Sequence, residues 1–121
     1  MKSGKIINWP FLRRFYSKTA SIVTRLFTGL PVKDPTSGFV AYNTYAIRCL
    51  NLDEIKFVGY AFQIEIKYKL WVLEKKYCEL PIIFQDRQNG TSKMSNKIIK
   101  EAILALITLH RYNKDILNIK K

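Results

Sequence analysis

Residues 81–93 read Pro-Ile-Ile-Phe-Gln-Asp-Arg-Gln-Asn-Gly-Thr-Ser-Lys, and this stretch decides the fold class because a strand pattern runs directly into a polar loop. The apolar run over residues 78–85 predicts a strand, and Pro81 favours an edge position or a bulge because proline cannot donate to the ladder. The Asn-Gly pair that follows predicts a turn. Arg87 and Lys93 add a planar donor fork and a mobile point charge, which suit a phosphate, although a solvated polar turn has the same pattern.

Helical spacing of apolar residues lies on both sides of this strand. It predicts helices over residues 11–28, 44–50, 61–76 and 96–112, and a turn-bounded run predicts a short strand over residues 39–42. About four helices with only two or three strands indicate an α/β chain. Because so few strands rarely form an independently stable sheet, we expect the chain to be one part of a larger α/β domain.

Composition restricts the class of partner. The chain has 121 residues, 48% of them hydrophobic, which excludes a disordered tail. Its 21 Lys and Arg against 9 Asp and Glu give a net charge of +12, which predicts nucleic acid, acidic lipid headgroups or phosphorylated small molecules as partners. Its two cysteines have no CxxC spacing, so neither a disulfide framework nor a zinc site is expected. The sequence shows no signal-peptide pattern and no apolar run of the roughly 20 residues that span a bilayer.

Two of the predicted helices carry polar pairs that suit a binding site. Arg13 and Ser17 lie one helical turn apart, so a cation and a hydroxyl can bind two oxygens of one phosphate. A solvated helix face explains the same pair. Gln63 and Glu65 flank an apolar position on a helix otherwise turned to the core, and a solvated or salt-bridged carboxylate explains Glu65 equally well.

Residues 34–39, Asp-Pro-Thr-Ser-Gly-Phe, form a predicted turn before the short strand. In a functional site, Gly38 would let the backbone approach a ligand while Asp34 and Ser37 face into the pocket. A plain turn is the alternative.

The last predicted helix has an unusually wide apolar arc with basic residues at both ends. This pattern fits a helix that packs into a missing part of the domain. It also fits a helix that lies in a membrane interface, where basic flanks meet anionic headgroups.

Taken together and in order, five landmarks give a family resemblance. They are Asn8-Trp-Pro with Arg13 and Ser17, residues 34–39, residues 59–65 (Gly-Tyr-Ala-Phe-Gln-Ile-Glu), residues 79–87 (Glu-Leu-Pro-Ile-Ile-Phe-Gln-Asp-Arg) and residues 90–93 (Gly-Thr-Ser-Lys). The chain resembles the carboxy-terminal half of the polyprenyl-phosphate (dolichol-phosphate) mannosyltransferases, inverting family-2 glycosyltransferases of GT-A fold. The resemblance implies transfer of a sugar, usually mannose from GDP-mannose, to the phosphate of a membrane-embedded polyprenol.

The resemblance also implies roles for individual residues. It places residues 1–93 in the glycosyltransferase domain with its acceptor loop, and residues 94–121 in an amphipathic helix of membrane-interface type with a basic tail. The implied catalytic residues are Asp34, Arg87 and Lys93; the implied acceptor-phosphate ligands are Arg13, Ser17, Arg87, Ser92 and Lys93; the implied pocket residues are Ser37, Gly38, Gln63 and Glu65.

The chain departs from the family pattern where the donor would bind. The complete family enzyme is expected to hold Mg²⁺ or Mn²⁺ through an Asp-x-Asp motif, and this sequence has no Asp-x-Asp. We therefore expect no metal ligand and no cofactor bound by this chain alone, and no activity without a separately encoded amino-terminal half.

The expected partners are polyprenyl or dolichyl phosphate and a membrane surface, with no nucleic acid. The expected location is peripheral, at the cytoplasmic face of a membrane. A non-enzymatic basic module that binds anionic membrane or nucleic acid, or the remnant of a truncated gene, are the alternatives.

Overall fold

The computed structural model describes residues 5–7, 11–85 and 96–119. In chain order the elements are β1 (Lys5–Ile7), α1 (Phe11–Thr28), α2 (Thr44–Arg48), a 3-10 turn (Leu52–Glu54), α3 (Gly59–Val72), β2 (Ile83–Gln85) and α4 (Asn96–Ile119). The four predicted helices are confirmed in number and order. The described chain is therefore mainly helical, with a small sheet.

The sheet is where the sequence-based expectations fail most. β1 and β2 pair in parallel, with Lys5 opposite Ile83 and Ile7 opposite Gln85. β1 was not predicted, and the strand predicted over residues 78–85 is reduced to its last three residues. A three-residue strand is too short for its alternation to stand out, and Pro81 removes a ladder donor just before β2.

The strand predicted over residues 39–42 is wrong, because this segment has no regular structure. The Phe39 N–H donates to Ser37 Oγ at 3.3 Å, and the Val40 N–H donates to the Gly38 carbonyl at 3.1 Å. These local partners take the backbone donors that a ladder would need.

α1 has the predicted bounds, and its carboxy-terminal end is fixed by local hydrogen bonds. Gly29 follows the helix with φ 72° and donates its N–H to the Arg25 carbonyl at 2.9 Å. The buried Thr28 hydroxyl donates to the Thr24 carbonyl at 2.7 Å and accepts from the Leu30 N–H at 3.2 Å. The helix therefore ends at Thr28, and the chain turns back toward α3.

α3 ends at Val72, earlier than the predicted residue 76. Its end is a Schellman motif, in which the Glu74 N–H donates to the Trp71 carbonyl at 2.9 Å and the Lys75 N–H donates to the Leu70 carbonyl at 3.0 Å. Glu74 takes φ 57°, a left-handed conformation in which glycine is usual. Helical periodicity continues past this motif in the sequence, which explains the overestimate.

The core lies where α1, α3 and α4 meet. Ile64 and Tyr68 of α3 pack with Leu106 and Leu109 of α4, and Val23 of α1 packs against this group. A second cluster joins Leu50, Ile66 and Leu70 with partly buried residues around α2. Ile64 and Tyr68 thus place one face of α3 in the core.

Only part of the apolar arc of α4 enters this core, and the helix runs beyond its predicted end at residue 112. Ile99, Ile103, Leu104 and Ile107 stay 44–58% exposed. None of the helices in the described part of the chain combines the length and the apolar character needed to cross a membrane. The predicted domain boundary after residue 93 lies outside the described residues.

Candidate functional site

The turn that contains Asp34, Ser37 and Gly38 is held from one side by Glu79. We call residues 33–38 the acceptor turn. Glu79 Oε1 accepts from the Lys33 N–H at 2.8 Å and from the Asp34 N–H at 3.4 Å. A carboxylate binds two adjacent backbone donors here, which fixes the start of the turn.

From the other side the acceptor turn is held by Lys67 of α3. Its Nζ donates to the Pro35 carbonyl at 2.9 Å and to the Ser37 carbonyl at 2.6 Å. Burial lowers the pKa of Lys67 from its usual 10.5, and the nearby carboxylates of Asp34 and Glu79 partly oppose this shift. The ammonium is therefore a half-buried charge whose hydrogen bonds to two backbone carbonyls take the place of hydrogen bonds to water.

A cleft of about 350 Å³ opens where the acceptor turn meets the start of α3 and the first turns of α4. It is lined by Thr36, Gly38, Val58, Gly59, Tyr60, Ala61, Gln63, Ile98 and Glu101. A Cβ placed on Gly38 would lie 4.0 Å from Gln63 Nε2, an ordinary contact distance, so Gly38 and Gln63 lie close to each other in the cleft. The lining is mainly apolar and includes a few polar groups.

Gln63 is the polar residue of the cleft with an unmet hydrogen bond. Among the described residues, no donor reaches its Oε1, although this oxygen is buried. A buried carbonyl oxygen without a donor is costly, at about 1–3 kcal/mol. The Gln63 residue lines the cleft, while this oxygen is itself shielded from solvent.

The amino-terminal end of α3 forms another wall of the cleft. Its N-cap residue, Val58, has no side-chain cap, and the N–H groups of a first helical turn lack intrahelical acceptors. Glu101 of α4 supplies an acceptor from outside, because its Oε1 lies 3.2 Å from the Val58 N–H. This cross-helix contact ties α4 to the mouth of the cleft.

Glu65, predicted as a pocket residue, holds backbone and is not among the residues that line the cleft. It is 2% exposed, and its Oε2 accepts from the Lys56 and Phe57 N–H groups at 3.0 and 3.1 Å. Its Oε1 pairs with Lys69 Nζ at 3.1 Å. The carboxylate therefore fixes residues 56–57, which lead into α3 beside the cleft.

The other predicted site residues are distributed as follows. Gly38 and Gln63 face the same cleft, whereas Asp34 is exposed at the start of the acceptor turn, where its Oδ1 accepts from the Thr36 hydroxyl at 2.9 Å. Ser37 is half-buried in the same turn, and Ser17 is half-buried on α1 away from the cleft lining. Arg87, Ser92, Lys93 and the side chain of Arg13 lie outside the described residues.

No metal site is apparent in the part of the chain that the structure describes. There, no three His, Cys, Asp or Glu side chains come together in a group that could hold a metal ion. Both cysteines, Cys49 and Cys78, are free and exposed.

Sequence reasoning missed three residues that build the site: Lys67, Glu79 as an anchor of the turn, and Glu101. Lys67 follows Gln63 by four positions, so helical spacing places both on one face of α3. This spacing is a signal from which the place of Lys67 near the site could have been predicted. Glu79 lies 45 positions from Asp34, and Glu101 lies 43 positions from Val58. Contacts of that sequence separation leave no local pattern.

Comparison with known proteins gives a consistent set of relatives. The chain is 39% identical over 101 residues to an undecaprenyl-phosphate mannosyltransferase of Micrococcus luteus, which covers 84% of this chain and 42% of the relative. It is 35% identical over 100 residues to a polyprenol monophosphomannose synthase of Mycolicibacterium smegmatis, with 83% and 38% covered. It is 35% identical over 125 residues to a dolichol-phosphate mannosyltransferase of Pyrococcus furiosus, with 100% and 34% covered.

The chain thus spans between 34% and 42% of the length of these three relatives. No protein-family model matches it. No solved structure matches it either. The resemblance found in the motifs is confirmed by these similarities, which extend over 83–100% of this chain.

Proposed function

Because this chain is homologous to a part of the polyprenyl-phosphate mannosyltransferases, we propose that it is the acceptor-binding portion of such a glycosyltransferase. The complete enzyme would transfer a sugar, mannose from GDP-mannose, to polyprenyl or dolichyl phosphate. The observation that carries this proposal is the cleft in which Gly38 of the acceptor turn faces Gln63 of α3, since both residues lie in the motifs that carry the resemblance to the family.

The chemistry needs positioning more than proton transfer. An oxygen of the lipid phosphate attacks the anomeric carbon of the sugar, on the face opposite the diphosphate. A carbon–oxygen bond forms there, the bond between sugar and diphosphate breaks, and GDP leaves with the electron pair. Because the lipid phosphate is already anionic, a strong general base is unnecessary, and rate enhancement comes from alignment and charge stabilisation.

The cationic residues are proposed to hold the acceptor. Arg13 and Ser17, one turn apart on α1, would bind the lipid phosphate, and Arg87, Ser92 and Lys93 would close over it. Ser17 is half-buried, which leaves part of its side chain accessible to a ligand.

The cleft between the acceptor turn, α3 and α4 would meet the sugar. Gly38 and Gln63 line the cleft, Ser37 precedes Gly38 in the acceptor turn, and the first N–H groups of α3 are donors. We propose that these polar groups hydrogen-bond to hydroxyl groups of the hexose.

The nucleotide and the metal are proposed to bind to a separate part of the enzyme. The sequence has no Asp-x-Asp motif. The parallel pairing of β1 and β2 supports a missing partner, because parallel sheets are normally larger and covered on both faces. A GT-A sheet completed by the donor-binding part of the enzyme would meet both needs.

A membrane surface is the proposed location, at the cytoplasmic face. The charge of +12 attracts anionic headgroups. Phe11, Leu12 and Leu26 of α1 are 64–81% exposed, which gives the chain apolar residues to insert at an interface. The lipid-borne phosphate would then reach the acceptor site without leaving the bilayer surface.

The proposal predicts that Arg13 matters more than a neighbouring cation on the same helix. The affinity of the chain for nanodiscs is measured by titration, with and without polyprenyl phosphate in a neutral lipid. Arg13→Ala is expected to weaken polyprenyl-phosphate binding about tenfold or more, because a charge-assisted hydrogen bond is lost. Lys18→Ala removes the same charge from an exposed position on α1 and is expected to change binding less than about threefold.

A second arm tests the reaction itself. The chain is mixed with the amino-terminal half of a relative, labelled GDP-mannose, Mg²⁺ and polyprenyl phosphate, and lipid-linked mannose is measured. The proposal fails if the pair is inert while Arg87→Ala and Lys93→Ala leave polyprenyl-phosphate binding unchanged. Equal losses for Arg13→Ala and Lys18→Ala, with steep salt dependence and no polyprenol preference, would instead support a non-enzymatic basic module.

A further inference from the structure

The acceptor turn has few hydrogen bonds of its own. The Ser37 N–H reaches the Asp34 carbonyl only at 3.5 Å, at the limit of a hydrogen bond. The Thr36 hydroxyl donates to Asp34 Oδ1 at 2.9 Å, which joins two side chains and leaves the backbone unconstrained. The conformation of the turn must therefore be set largely from outside it.

Two charged side chains supply that constraint from opposite sides. Glu79 accepts from the N–H groups at the start of the turn, and Lys67 donates to the carbonyls of Pro35 and Ser37. Pro35 between them is less than 2% exposed. Because α3 is a rigid helix packed in the core, Lys67 anchors the turn to the same helix that carries Gln63.

We propose that Lys67 is a positioning residue, whose ammonium fixes the carbonyls of Pro35 and Ser37 and so holds Gly38 at the wall of the cleft opposite Gln63. The effect of this geometry on sugar transfer rests on the proposed function. The role of Lys67 in holding the turn rests on the hydrogen bonds alone.

The chemistry of the position favours lysine. An ammonium offers three donors from a single point, and two of them reach carbonyls that are separated by one residue. The carboxylates of Asp34 and Glu79 offset the cost of placing this charge out of water. A neutral side chain of equal length would leave both carbonyls without their donor.

The test reads the turn directly through amide hydrogen exchange, measured by NMR on the whole chain. Lys67→Met keeps the length of the side chain and removes the donors. We expect exchange at Ser37, Phe39 and Val40 to become about tenfold faster or more, with the amides inside α3 unchanged. Lys76→Met makes the same change at an exposed lysine and is expected to leave these rates unchanged.

Rescue by a conservative variant separates positioning from bulk packing. Lys67→Arg keeps a cation with several donors and is expected to restore most of the protection lost in Lys67→Met. In the unmodified chain, the Lys67 ammonium protons, assigned by their absence in Lys67→Arg, should exchange about tenfold more slowly than those of exposed lysines. This last measurement stays decisive even if Lys67→Met fails to fold.

The outcomes distinguish this inference from the proposed function. Unchanged exchange at the turn in Lys67→Met, or a rapidly exchanging Lys67 ammonium in the unmodified chain, overturns the role of Lys67. In the reconstituted mixture, Lys67→Met should lower the formation of lipid-linked mannose about tenfold, and Lys67→Arg should restore it. If the unmodified chain does not bind polyprenyl phosphate, the proposed function fails while the exchange result still decides the role of Lys67.

Discussion

Tyr68 shows how a single buried group shapes the stability of the chain. Its side chain is fully buried in the core, and among the described residues no partner reaches its hydroxyl. Burial foremost, with a smaller contribution from Tyr112, raises the pKa of Tyr68 to about 12. The ring contributes to packing, while the hydroxyl contributes a desolvation cost.

Tyr68→Phe is therefore expected to stabilise the chain by about 1 kcal/mol, because it removes a buried polar group that makes no hydrogen bond and leaves the ring in place. The free energy of unfolding is measured in urea at neutral pH. Tyr16→Phe removes a hydroxyl from an exposed ring on α1 and should change stability by less than about 0.5 kcal/mol. A loss of stability in Tyr68→Phe would mean that the hydroxyl has a partner.

The same residue predicts a pH dependence. The pKa of the phenol rises from its ordinary value of 10.0 to about 12 on folding, because the folded state favours the neutral phenol. Its contribution to the free energy of unfolding is therefore unchanged below pH 10, and stability is lost as pH rises toward 12 and the unfolded state ionises first. Over this window the unmodified chain should lose about 2 kcal/mol relative to Tyr68→Phe, at up to about 1.4 kcal/mol for each pH unit. Parallel stability curves for the two proteins between pH 10 and 12 would contradict this assignment.

At the scale of elements, helix ends are determined by local chemistry that can be changed one residue at a time. α3 ends in a Schellman motif whose left-handed position is occupied by Glu74. A Cβ in this conformation costs about 1 kcal/mol or more, which glycine avoids. The helix keeps this end because two backbone hydrogen bonds close it.

Glu74→Gly is expected to be more stable than Glu74→Ala by about 1 kcal/mol. Both variants lose the glutamate side chain and its contacts, so their difference isolates the Cβ in the left-handed conformation. Thermal and urea unfolding of the two variants measure it. Equal stabilities would show that the strain at residue 74 is released in solution by fraying of the last turn.

Element boundaries also show what could be read from local sequence. α1 could be predicted over its full length, since apolar spacing defines it and Gly29 ends it. The end of α3 could not be predicted, because the apolar spacing of its sequence continues past the last helical hydrogen bond. No strand forms over residues 39–42, because an extended segment needs a partner strand to accept its backbone N–H groups. Those of Phe39 and Val40 donate to Ser37 Oγ and the Gly38 carbonyl instead.

At the scale of the whole molecule, the cleft depends on contacts between distant segments. Glu101 of α4 accepts from the N–H of Val58, the N-cap residue of α3, as the glutamate of a capping box does from within a helix. The negative charge also lies at the positive end of the α3 dipole. α4 thereby helps to fix a wall of the cleft as well as the core.

Glu101→Ala is expected to destabilise the chain by about 1 kcal/mol, because the N-cap N–H of α3 loses its acceptor and the dipole loses its counter-charge. Glu101→Gln keeps an acceptor oxygen and should cost about half as much. Lys100→Ala, at an exposed neighbouring position, serves as the control in the same urea titration. If Glu101→Ala matches the control, α4 contributes to the cleft only through packing.

Apolar spacing, composition and short-range residue order are local properties, and from them the four helices, the basic charge and the motifs that resemble those of mannosyltransferases could be predicted. Folding determines that Gln63 faces the cleft while Glu65, two residues later, turns away to hold residues 56–57. It also determines that Lys67 and Glu79 clamp the acceptor turn. These assignments depend on which groups lie opposite each side chain after folding, and such partners are distant in sequence.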